Sequence, residues 1–118
     1  MERSSFDFDG FRRAFEDQNV AAWLEFYADG IEWLEYRHNA PPRSPNRMAG
    51  KEQVGAFLHR VKASNVRLAI SDEIIGPTRA AFCLTVDLAS GKQIIEHIII
   101  HYNGGKIVRQ VDVEAWDQ

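Results

Sequence analysis

The chain of 118 residues is 45% hydrophobic and 11% aromatic, carries a net charge of −3 and has one cysteine. That length suffices for a core without metal or disulfide staples, and residues 1–118 are expected to form a single domain. The acidic balance excludes the basic field that gathers phosphates, so nucleic acid is not an expected partner. No run approaches the ~18 apolar residues of a membrane span.

Residues 1–10, MERSSFDFDG, lack the apolar centre of a signal peptide. With Cys83 alone and unable to form an internal disulfide, a reducing, cytoplasmic setting is expected. Asp7 or Asp9 caps a first helix that aligns Phe8, Phe11 and Phe15. Asn19 caps a second, in which Val20, Trp23, Leu24 and Tyr27 follow helical spacing until Asp29-Gly30 ends it. Ile31–His38 then reads as a strand, with Ile31, Trp33, Glu35 and Arg37 on one face and Glu32, Leu34, Tyr36 and His38 on the other. The stretch Asn39–Ala49 holds three prolines and two arginines and reads as a rim or lid loop. Gly50-Lys51-Glu52 opens a third helix with Val54, Phe57, Leu58 and Val61 on its buried stripe.

Alternation predicts strands through Val66, Leu68 and Ile70, and again from Ala80 to Leu88 after a turn at Gly76-Pro77. Cys83 falls in the second of these, where it reads as a small apolar filler. The last stretch, Gln93–Trp116, reads as a hairpin turning at Asn103-Gly104-Gly105, where glycine supplies positive φ. Ile94, Ile95, Ile98, Ile99 and Ile100 leave neither face of its first strand polar, yet Glu96, His97 and His101 interrupt it. A strand with two apolar faces needs cover on both sides, and titratable groups set into it cost free energy unless paired, hydrated or used. The expectation is a curved sheet with a cavity on one side and a second layer on the other. The order α-α-β-α-β-β-β-β gives an α+β class.

Three segments, FYADGIEWLE at Phe26–Glu35, AGKEQVGAFL at Ala49–Leu58 and GGKIVRQVDVEAWD at Gly104–Asp117, resemble the nuclear transport factor 2-like superfamily in its SnoaL-like and ketosteroid-isomerase-like branch. The resemblance covers nearly the whole chain. It implies one SnoaL-like domain, a strongly bent antiparallel sheet closed by three helices into a cone, and a homodimer through the outer sheet face. Such cones host isomerases, cyclases, dehydratases, epoxide hydrolases and non-catalytic binders, so fold alone does not set function.

The resemblance places Glu35 where ketosteroid-isomerase-like proteins carry their general base. A carboxyl set against indole and isoleucine has its neutral form favoured by desolvation. His97 falls where that pattern holds a protonated acid that donates to a developing oxyanion, and a neutral imidazole can also donate. Phe11 falls where the pattern has an oxyanion-hole tyrosine; it has no hydroxyl, which argues against steroid isomerisation by that route. Asp112 matches the last-strand aspartate of SnoaL-like cyclases, and an Asp112–His97 pair would orient the imidazole. Glu35, His97 and Asp112 are thus the candidate catalytic set. Phe11, Trp33, Arg37, Phe57, Ile99, Glu114 and Trp116 are the candidate ligand contacts.

No metal is expected. The four histidines form no H-E-x-x-H, and His97 and His101, four apart on a strand, stand ~13 Å apart at ~3.3 Å per residue. Nor is a cofactor, since Gly104-Gly105 turns a hairpin instead of cradling phosphate at a helix start. The expected partner is a small apolar organic ligand, handled by cofactor-free acid–base chemistry. The alternative is a non-catalytic binding or dimerisation module.

Overall fold

The computed structural model describes residues 6–118, so the expectation about residues 1–10 lies partly outside the described residues. In chain order the elements are α1 (Phe8–Asp17), α2 (Val20–Leu24), β1 (Tyr27–Tyr36), β2 (Asn46–Ala49), α3 (Lys51–Ala63), β3 (Arg67–Ile75), β4 (Arg79–Asp87), β5 (Gln93–Asn103) and β6 (Lys106–Trp116). The six strands form one curled sheet ordered β2-β1-β6-β5-β4-β3, and the three helices lie against its inner face. The class is the expected α+β cone. All strand pairs are antiparallel except β1 with β6, the first and last strands, which run parallel.

Local signals act as read at both helix starts. The Asp7 carboxylate accepts from the Gly10 N–H at 3.0 Å, and Asn19 accepts from Ala22 at 3.3 Å. Phe8, Phe11 and Phe15 are buried on the α1 stripe and meet Phe82 of β4, with ring centroids 5.6–6.2 Å apart at steep angles. This aromatic wedge fixes α1 against the sheet.

Two boundaries differ from the sequence expectation. The second helix stops at Leu24, and Asp29-Gly30 lies inside β1. Tyr27 decides this: fully buried, it leaves the helical stripe and donates from its hydroxyl to Gln110 Oε1 at 2.8 Å, which only a strand beside β6 permits. The proline-rich stretch is only partly loop. Its prolines end at residue 45, and Asn46–Ala49 then pairs antiparallel with β1, Asn46 opposite Glu35 and Met48 opposite Trp33. One buried residue in four is too faint a period to read.

The central hairpin turns at Gly104-Gly105, with φ of 61° and 78°, and Asn103 pairs with Lys106. Beyond it the ladder slips by one residue: Tyr102 pairs with Ile107 but His101 with Arg109, leaving Val108 unpaired as a bulge. From there Ile98 faces Asp112 and Glu96 faces Glu114. Ile94, Glu96, Ile98 and Ile100 therefore point inward, while Ile95, His97 and Ile99 point out. Cys83, opposite His97 on β4, is likewise on the outer face and half-exposed, not a core filler.

Candidate functional site

The inner face of the sheet and the three helices line an open-mouthed cavity of about 450 Å³. Its walls are mainly apolar and aromatic, from Phe15, Trp23, Trp33, Phe57, Ile94, Ile98 and Trp116. Four carboxyls from three adjacent strands also line it: Glu35 on β1, Asp112 and Glu114 on β6, and Glu96 on β5. All four are buried. Strand register gathers them, because Glu35 lies directly opposite Asp112 and Glu96 directly opposite Glu114. Like charges directly opposite each other destabilise a sheet, so the cluster carries a cost that ordinary packing does not explain.

A shell of donors orients the acids. Trp33 Nε1 donates to Asp112 Oδ2 at 2.9 Å, and Gln110 Nε2 donates to Asp112 Oδ1 at 3.2 Å. Gln110 is itself held by the Tyr27 hydroxyl. Asn46 Nδ2 donates to Glu35 Oε1 at 3.0 Å, so the unforeseen strand β2 carries a site contact. Trp116 Nε1 donates to Glu114 Oε1 at 2.8 Å, and the Arg37 guanidinium lies 3.7 Å from the same oxygen and over the Trp116 ring. Among the described residues, no N–H donor reaches Glu96.

Burial and mutual repulsion raise the proton affinity of Glu96, Asp112 and Glu114. Burial, then the charges of Asp112, Glu114 and Glu35, pushes Glu96 up to about 10. Burial first, then Glu35, raises Asp112 well above the usual carboxylate range, against the opposing bonds from Trp33 and Gln110. Glu114 is raised to about 7 by burial and Glu35, with the Trp116 indole and Arg37 pulling the other way. At neutral pH the cavity therefore contains protonated carboxyls, and Glu114 titrates near the working pH.

Glu35, Asp112 and Glu114 each offer a carboxylate oxygen, and these lie within 4.8 Å of one another. That spacing suits a hard cation with oxygen ligands. The histidine argument against a metal did not bear on this trio.

Of the sequence-based candidates, Trp33, Glu35, Arg37, Phe57, Asp112, Glu114 and Trp116 line the cavity. Three do not. His97 is exposed on the outer face, because the bulge at Val108 sets Ile98 and not His97 opposite Asp112; the Asp112–His97 pair does not form. Ile99 shares that outer face, 43% exposed. Phe11 is fully buried in the aromatic wedge and touches Phe15, Phe26, Tyr27 and Phe82 instead of the cavity. Conversely, Glu96, Asn46 and Gln110 belong to the site and were not expected there.

No protein-family model matches the sequence, and no curated protein does. Solved structures do match in fold. An NTF2-like protein of unknown function from Mesorhizobium loti superposes with TM-score 0.80 at 16% identity, covering 92% of this chain and 87% of that one. A protein provisionally named ketosteroid isomerase, from Kribbella flavida, gives 0.76 at 12% identity over 94% of this chain and 75% of its own. A SnoaL-like protein of unknown function from Burkholderia thailandensis gives 0.63 at 20% identity, covering 93% and 90%. The chain has the nuclear transport factor 2-like cone fold that SnoaL-like and ketosteroid-isomerase-like proteins share.

Proposed function

We propose that this protein binds a small organic molecule in its cone and moves a proton on it without a cofactor, as an isomerase, cyclase, dehydratase or epoxide hydrolase does. The observation that carries the proposal is the set of four buried carboxyls facing aromatic and aliphatic walls. Such a set holds acid and base forms side by side, because its members cannot all ionise together. Glu35, steadied by Asn46, takes the proton. Asp112 keeps its own and donates toward developing negative charge, the part first given to His97. Glu114, poised near 7, returns a proton. Trp33, Phe57 and Trp116 hold the apolar body of the ligand.

The protein is further proposed to be a cytoplasmic homodimer. Ile95, Ile99 and Val113 are 42%, 43% and 57% exposed on one outer patch, and pairing two such patches would cover them. Among the described residues no helix is long and apolar enough to cross a membrane.

The chemical test uses 5-nitrobenzisoxazole, a neutral aromatic that opens when a base removes its ring proton and turns yellow as it does so. Ring opening by the wild type, lost in Glu35→Gln, supports the proposal. A rate equal to that of the variant would favour the second reading, a binder without turnover. That reading draws on the indole, amide and guanidinium groups already occupying carboxylate oxygens.

A further inference from the structure

We infer that the cavity selects a cationic amine, a molecule with an ammonium group on an apolar, aromatic-sized body. The inference rests on the same cavity as the proton-transfer proposal and names its ligand class.

The oxygen accounting points there. Of the eight carboxylate oxygens in the cluster, Asp112 Oδ1 and Oδ2, Glu35 Oε1 and Glu114 Oε1 already accept from protein N–H groups. Glu35 Oε2, Glu114 Oε2 and both oxygens of Glu96 accept from no N–H group among the described residues; Glu96 instead shares a hydrogen bond with the Asp112 carboxyl, and Glu114 with that of Glu35. Glu96 is the sharpest case: only 9% exposed and lining the cavity, it has neither an N–H donor nor a cationic partner there. An ammonium supplies up to three N–H donors and one positive charge, which suits acids that share protons with one another for want of N–H donors.

The other charged groups facing the cluster do not supply that charge. Those lining the cavity are Glu35 on β1, Arg37 just after it, Arg60 on α3, Glu96 on β5, and Asp112 and Glu114 on β6. Arg37 is committed to Glu114 and the Trp116 ring. Arg60 is exposed and lies over the Phe57 ring, at the edge of the cavity. Anionic ligands would meet the acids first and are disfavoured. A bare metal ion would fit the trio spacing but leave the aromatic walls of a 450 Å³ cavity without contact. Faces of Trp and Phe attract a desolvated cation, so walls and acids favour the same ligand. With the ammonium between Glu96 and Glu114, Glu35 stays available as the base. The charge it brings replaces protons the acids hold when the cavity is empty of ligand, so binding should release protons to buffer.

Titration calorimetry at pH 7.5 with 2-phenylethylamine, 2-phenylethanol and 3-phenylpropanoate tests this, since the three differ mainly in charge. The amine should bind at least about tenfold tighter than the alcohol, a difference of about 1.4 kcal/mol, and the carboxylate more weakly than either. Its heat should differ between phosphate and Tris buffers, as proton release requires. Glu96→Gln should erase most of the preference for the amine, with circular dichroism verifying its fold. Alcohol or carboxylate binding as tight as amine would overturn the inference. So would Mn2+ alone binding to the wild type and blocking the amine. If the amine fails while 5-nitrobenzisoxazole is still opened, the ligand class falls and the proton-transfer proposal stands; if both fail, both fall.

Discussion

Glu96 and His97 are neighbours in the chain and stand in opposite surroundings. Glu96 is buried among three other acids on the concave side of the sheet, while His97 is exposed on the convex side between Ile95 and Ile99. The difference comes from one unpaired residue, Val108. Continued without that bulge, the register of the glycine turn would set His97 opposite Asp112 and turn Glu96 outward. The chemistry of the cavity therefore depends on backbone geometry more than ten Å along the ladder from it, at ~3.3 Å per residue. Under the proposed function, proton chemistry belongs to the concave face and association to the convex one.

The largest expected effect separates the two faces by activity. Glu35→Gln should lower the rate of 5-nitrobenzisoxazole opening by ~100-fold or more, the usual loss of a general base, while His97→Ala stays within about twofold of wild type. Equal losses in both variants would erase the distinction. Stability divides the same strand next. Ile98, 1% exposed, should cost ~2–5 kcal/mol when cut to alanine, measured by urea unfolding. On the convex face, Val113→Asp should convert a dimer to a monomer in light scattering while leaving ring opening intact; a wild type that is already monomeric would remove that face's proposed role.

Sequence alternation gave the inner face of β1 and of β6 correctly, because polar and apolar residues there change sides visibly: Trp33 and Glu35, then Asp112, Glu114 and Trp116, line the cavity. It misplaced His97 and Ile99 on β5, whose isoleucines occupy both faces, so that no period-2 signal marks the inside. Register would have resolved it, but a bulge carries no composition signal when its extra residue is a valine in a valine-rich strand. Strand β2 escaped for a related reason, with a single buried residue following a run of prolines. Asn46 and Gln110 went unnoticed because neutral amides acquire a role only through the partners that folding brings to them.

The last predicted effect is on pH dependence. A carboxyl with a higher pKa in the folded than in the unfolded chain binds more protons when folded. Stability is then greatest below that window and falls as pH rises through it. The window runs from 4.5 to about 7 for Glu114, and from 4.5 to about 10 for Glu96. The melting temperature should thus decline from pH 5 to pH 9. Glu96→Gln keeps the shape of the protonated acid without its titration. It should flatten the decline and melt higher than wild type at pH 8; an unchanged slope would place the retained proton elsewhere.

Carbon-13 NMR of the side-chain carboxyls, followed from pH 4 to pH 11 and assigned with Glu96→Gln and Asp112→Asn, reads the retained protons themselves. Titration of Glu96 near pH 10 and of Glu114 near pH 7 is the predicted result. Midpoints for every glutamate and aspartate close to their ordinary values would contradict it, and the cavity would then hold four bare charges instead of a proton store.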